Sequence, residues 1–193
     1  GLFTSSPASH LHLTSNADTV YTIETTNATA DGRIQFRNSS GTDAGGVWYA
    51  TNNNSLKFRT NSTEHMVLDN SGNLTLTNTG GGAGAGPYLN LTRDSASPAD
   101  NDSIGIIQFQ GDDDAGNVTS YATIEAITPD VSNGTEDGRL KINTITAGTS
   151  RNRIDMLTGE TAVNQDSQDI NFRVESNGNT HMLFVDAGAD HVN

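Results

Sequence analysis

Five histidines are the first residues in this chain that could do chemistry: His10, His12, His65, His181 and His191. His10 and His12 lie two apart, so on a strand both project from one face and could share a metal ion. No cysteine occurs, and no carboxylate sits at ligand spacing beside them, so an exposed pair is the expectation and no metal site is assigned. His65 and His181 each precede a methionine, Met66 and Met182, which points to packing. The stretch Asp112-Asp113-Asp114-Ala115-Gly116-Asn117 offers alternating oxygen donors and a glycine, as calcium loops do. It lacks the distal bidentate Glu, so a solvated acidic turn is expected. With 23 Asp and Glu residues some carboxylates must lie close together, and two suitably spaced acids are all that a retaining glycosidase needs. No nucleophile elbow, phosphate loop or dinucleotide fingerprint accompanies them. We therefore expect no enzyme: no catalytic residue, cofactor or metal.

Two further groups could recognise ligands. Trp48 and Tyr49 would make a sugar platform if exposed, whereas the expectation is that Trp48 is the largest core residue of its unit. Nine Asn-x-Ser/Thr sequons occur, at Asn27, Asn38, Asn53, Asn61, Asn73, Asn90, Asn101, Asn117 and Asn133. They are glycan acceptors only in an exported protein of a glycosylating host. A composition so rich in Asn, Ser and Thr generates such triplets by itself.

The elements that position these residues are strands. Val20-Tyr21-Thr22-Ile23-Glu24 and Leu74-Thr75-Leu76-Thr77 alternate apolar and polar residues with period two, the pattern of half-buried strands. Asp31-Gly32, Ser71-Gly72, Asn133-Gly134, Asp137-Gly138 and Asn177-Gly178 supply turn positions between them. No stretch sustains helical spacing. The spacing predicts strands near 11–14, 19–25, 33–37, 46–51, 55–60, 64–69 and 73–77. In the second half it predicts them near 88–92, 104–110, 118–127, 138–145, 152–157, 170–175 and 180–185. The class is all-β.

The order of landmarks repeats. Leu11-His12-Leu13-Thr14 returns as Leu89-Asn90-Leu91-Thr92, and Ile34-Gln35-Phe36 as Ile107-Gln108-Phe109. Asp43–Thr51 returns as Asp114–Thr123. Phe58-Arg59, His65-Met66 and Leu68-Asp69 return as Phe172-Arg173, His181-Met182 and Val185-Asp186. The offset grows from about 70–80 residues to about 115, which implies an insertion of about 40 residues between Ile124 and Ile170. This divides the chain into a linker at 1–10, a first repeat at 11–79, a glycine-rich segment at 80–87 and a second repeat at 88–193. The segment Gly80–Pro87 reads either as a hinge or as close packing of backbones around an axis. Phe36, Phe109, Phe58 and Phe172 are expected to point inward. The sequence starts at Gly1, from which we expect a trimmed product or an interior segment.

Composition bounds the partners. Only 33% of the 193 residues are hydrophobic and 6% aromatic, little for a self-sufficient core of this length. A formal net charge of −13 repels nucleic acids and anionic membranes. No apolar run reaches the length of a membrane-spanning helix. The remaining outlet for modest apolar stripes is association with further copies of the chain.

At these residues the chain resembles a family, the long bacteriophage tail-fibre and related virion fibre proteins. Thr4-Ser5-Ser6-Pro7-Ala8-Ser9-His10-Leu11-His12-Leu13 is similar to their "G-I-G-T-[ST]-S-P-x-x-x-L-H-V" unit. Phe109-Gln110-Gly111-Asp112-Asp113-Asp114-Ala115-Gly116-Asn117, with Tyr121-Ala122-Thr123-Ile124, resembles their "F-x-G-x-D-x-A-G-N-x-x-x-Y-A-x-I". Gly134–Leu140 resembles "G-S-E-D-G-R-[LI]", and Phe172-Arg173-Val174 with Phe184-Val185-Asp186 resembles the closing "F-x-V … F-V-D". Phe3 stands where the family carries Gly, and a shaft segment rather than a fibre tip with a chaperone-protease domain is expected. The resemblance implies a shaft segment in which successive units join end to start, with Gly1 and Asn193 at opposite ends. The expectation is an extracellular, non-enzymatic structural repeat of a virion surface fibre: two tandem β units, sandwich- or prism-like, elongated and homotrimeric. The alternatives are a cellular pilus or matrix filament subunit, and a receptor- or glycan-binding fibre domain.

Overall fold

The computed structural model describes residues 17–84 and 86–192. The expected linker at 1–10, the strand at 11–14, His10, His12 and the separation of Gly1 from Asn193 lie outside the described residues. Among the described residues there is no helix. Three antiparallel sheets are present, so the chain is all-β. It divides into two units, Gly1–Leu89 and Asn90–Asn193.

The first unit holds one five-stranded meander: β1 (Gly32–Arg37), β2 (Asp43–Ala50), β3 (Ser55–Thr60), β4 (Thr63–Leu68) and β5 (Leu74–Leu76), each paired with the next. Its turns follow from residue type. Asn61 and Ser62 form a two-residue loop between the paired Thr60 and Thr63, with φ of 48° and 59°, the conformation that matches strand twist. Between β1 and β2, Asn38 Oδ1 accepts the N–H groups of Ser40 and Thr42, both at 3.0 Å, while Gly41 takes φ 74°.

The second unit holds a five-stranded meander and a smaller sheet. The meander comprises β6 (Asp102–Asp112), β7 (Val118–Asp130), β8 (Asp137–Thr146), β9 (Thr149–Met156) and β10 (Thr161–Val163). The smaller sheet comprises β11 (Phe172–Val174), β12 (Leu183–Asp186) and β13 (His191–Val192).

Period two gives each meander two unlike faces. In the first, Ile34, Val47, Phe58, Met66 and Leu76 stand opposite one another, one per strand, across the whole sheet. The adjacent row on that face is Gly32, Tyr49, Leu56, Leu68 and Leu74. In the second meander, Ile107, Ile124, Ile142, Ile154 and Val163 make the corresponding row. Beside it run Gly105, Ala126, Leu140, Met156 and Thr161. None of these twenty positions is charged.

Several expectations need correction. No strand forms at 19–25 or 88–92, where Val20, Tyr21, Tyr88 and Leu89 are exposed: alternation without a partner strand does not make a sheet. The four phenylalanines do not point into a core of this chain. Phe36 is 60% exposed, Phe109 53%, Phe58 36% and Phe172 38%. Among the described residues of the first unit there is one sheet, so no sandwich closes over its apolar face. Two sequence correspondences also join unlike conformations. Asp43 begins β2, whereas Asp114 lies in the turn before β7; His65 is inside β4, whereas His181 precedes β12.

Candidate functional site

The polar face of the first meander carries its densest chemistry. Trp48 in β2 stands between Arg33 of β1 and Lys57 of β3, and is only 3% exposed. Glycine makes room for it. A Cβ on Gly46 would lie 2.2 Å from the Ile34 carbonyl oxygen and 3.0 Å from the Trp48 ring. The Arg59 guanidinium carbon sits 4.7 Å from the Trp48 ring centroid and that of Arg33 5.9 Å. Each such cation–π contact contributes about 0.5–2 kcal/mol, depending on desolvation. Trp48 is therefore a core residue roofed by guanidinium groups, and its ring faces are not a sugar platform. Tyr49 points to the opposite face, where its hydroxyl donates to Asn54 Oδ1 at 3.1 Å.

The cations around Trp48 each have an acidic partner. Arg33 meets Asp31 at 3.0 Å, Lys57 meets Glu64 at 3.0 Å, and Arg59 approaches Asp43 at 4.0 Å. A recess of about 440 Å³ opens above them, bordered by Asp31, Arg33, Asn52, Lys57 and Glu64. What this arrangement does chemically is neutralise charge over a buried indole. It places no nucleophile beside a base.

The second polar face is built around Asp155 of β9, which is fully buried. Arg139 of β8 clamps it with two hydrogen bonds, Nε to Oδ1 at 2.7 Å and Nη2 to Oδ2. Asn152 Nδ2 donates to Oδ2 at 2.6 Å. Lys141 is the cross-strand neighbour of Asp155 and approaches Glu125 at 4.0 Å. The Arg139 hydrogen bonds hold the Asp155 carboxyl below the usual carboxylate range, with Asn152 acting in the same direction and burial opposing. Sequence reading missed this cluster, because Arg139 and Asp155 are brought together only by strand pairing.

The acidic stretch of the sequence is a hairpin turn. Asp113 Oδ1 accepts the N–H groups of Ala115 at 2.9 Å and Asn117 at 2.8 Å, and Asn117 Nδ2 donates to Oδ2 at 3.1 Å. These bonds, led by the Asn117 backbone N–H, hold the Asp113 carboxyl below its ordinary range. Asp69 repeats the geometry with Ser71 and Asn73, each backbone bond 2.9 Å long. Gly72 and Gly116 take φ of 84° and 81°. The Asp113 oxygens are thus engaged by their own turn, and no cluster of three metal-ligating side chains occurs among the described residues.

The remaining histidines make local contacts. His65 Nδ1 donates to the Thr77 carbonyl at 2.9 Å. The His181 ring packs edge-on against Phe184 with centroids 4.9 Å apart, and His191 Nδ1 lies 3.4 Å from the Ala189 carbonyl. The sequon asparagines also act in turns. Asn27 Oδ1 accepts from the Thr29 N–H at 2.9 Å, and Asn38, Asn73 and Asn117 brace turns as described. Where a turn-ending Asn precedes an alternating x-Thr strand, as in Asn73-Leu74-Thr75 and Asn117-Val118-Thr119, hairpin chemistry itself writes a sequon.

No family model, curated protein or solved structure matches this chain.

Proposed function

We propose that this chain is a structural, non-enzymatic repeat of an extracellular fibre, a virion tail-fibre shaft unit that assembles with copies of itself as a homotrimer. The observation that carries this reading is how little of its apolar material the chain encloses. Among the described residues only Trp48 and Ala50 are buried hydrophobics. Large apolar side chains such as Phe36, Phe109 and Ile106 lie exposed instead, and burial against further copies covers them without a larger core. The fibre motifs around Thr4–Leu13, Phe109–Asn117 and Gly134–Leu140 agree with this, as do two units with matching apolar rows, which favour an origin by duplication.

Light scattering tests the reading: the soluble chain should weigh roughly threefold its 20.3 kDa. Incubation with host polysaccharide should release no oligosaccharide. A stable monomer overturns the shared core, and detectable cleavage overturns the non-enzymatic assignment.

A further inference from the structure

We infer that each meander's apolar face is a separate docking surface for the same face of other copies of this chain, so that every subunit carries two self-association surfaces. This rests on the self-assembling reading and deepens it by naming the contact. The first surface centres on the row Ile34, Val47, Phe58, Met66 and Leu76, and the second on Ile107, Ile124, Ile142, Ile154 and Val163.

Charge selects the occupant. A chain of net charge −13 repels its own copies everywhere except across surfaces that hold no charge. The two apolar rows of each meander hold none; on the second face the charges are confined to one margin, where Arg151 pairs with Thr144 and Arg153 donates to the Thr144 and Thr146 hydroxyls. Their opposite faces hold the ion pairs: Arg33–Asp31, Lys57–Glu64 and Arg59–Asp43 on one, Arg139–Asp155 and Lys141–Glu125 on the other. A partner of opposite charge would be expected to meet the acidic surface instead, and these faces offer it nothing to read.

Shape argues in the same direction. A pleated row of Ile, Val, Phe, Met and Leu interdigitates with another such row, as in stacked sheets about 10 Å apart. A face turned toward a shared rotation axis meets the same face of the other copies. The edge positions are open: Ile34 is 48% exposed and Ile107 41%, each on the first strand of its meander.

The test uses the full chain and sedimentation over a concentration series, with circular dichroism as the record of fold. Ile34→Asp and Ile107→Asp each place a charge on one face at an exposed edge position. Gln35→Asp and Gln108→Asp place the same charge on the opposite faces. Each Ile variant should raise the midpoint concentration for dissociation at least tenfold, and the double variant should be monomeric with wild-type strand content. The Gln variants should still assemble, with midpoints slightly above wild type at low salt that merge with it as salt rises. If an Asp variant loses its strand signal, Ile34→Thr and Ile107→Thr, which keep β-branching, take its place with the same expected order.

An assembled double Ile variant with the wild-type midpoint overturns the docking faces while leaving self-assembly standing. A wild-type chain that is monomeric at all concentrations overturns both. Loss of assembly from Ile34→Asp with no effect of Ile107→Asp overturns the second surface.

Discussion

Asp155 is the residue whose protonation the fold resists most directly. Its carboxylate has no solvent contact, and the Arg139 clamp lowers its folded-state pKa. A depressed carboxyl contributes stability that is fully present above its unfolded pKa of about 3.9 and is lost as pH falls through the folded value. Asp155→Asn should remove that acid-sensitive component and leave Arg139 facing a neutral amide. We expect a loss of about 3 kcal/mol near neutral pH, typical of a broken buried pair. The unfolding midpoint of the variant should also fall less steeply than wild type between pH 5 and pH 3 (about one unit either side of the unfolded pKa). Denaturant titrations at several pH values measure both effects, and an unchanged acid slope would mean that other carboxylates set it.

Turns and close strand approaches decide which elements form, and two positions show how. At Gly46 contact and conformation act together: φ is 157°, and an added Cβ would lie 2.2 Å from the Ile34 carbonyl oxygen. Gly46→Ala must push β1 from β2 or displace Trp48, and should cost about 3 kcal/mol. At Ala147 the obstacle is backbone conformation alone. Ala147 and Gly148 form the two-residue loop between the paired Thr146 and Thr149, and Ala147 sits at φ 47°. An Asn tolerates that region better than Ala, so Ala147→Asn should stabilise the chain by about 0.5 kcal/mol. Thermal melts of the two variants should therefore shift in opposite directions. Much of this level was legible in the sequence: alternation located β1 to β9 within a few residues, and β11 and β12 less closely, because each has a partner strand to pair with. Alternation also suggested strands at 19–25 and 88–92, where pairing is absent. It passed over β10 and β13, of three and two residues. The Asp155 cluster was illegible because Arg139 and Asp155 are sixteen residues apart and meet only through the register of β8 on β9. The phenylalanines were misread for a related reason. Alternation states which face Phe36 and Phe109 share, but says nothing about what covers that face.

For the whole molecule, two opposed terms govern association: attraction between uncharged apolar rows and repulsion between subunits that each carry −13. The first varies little with ordinary salt, whereas the second is a long-range field. The screening length shrinks from about 30 Å at 0.01 M to about 10 Å at 0.1 M and about 3 Å at 1 M. Raising sodium chloride from 0.02 M to 0.5 M (spanning most of that range) should therefore strengthen assembly, and the dissociation midpoint should fall by an order of magnitude or more. Ion-pair contacts through the polar faces give the reverse sign, because Arg33–Asp31 and Lys57–Glu64 exchanged between subunits would weaken as salt rises. The Gln35→Asp and Gln108→Asp variants sharpen the comparison. Each adds negative charge away from the apolar rows, so their midpoints should lie slightly above wild type at low salt and merge with it at high salt. Sedimentation across this salt series reads the sign directly. An assembly that comes apart as salt rises would place the contact on the charged faces and set aside the apolar rows as the joining surface.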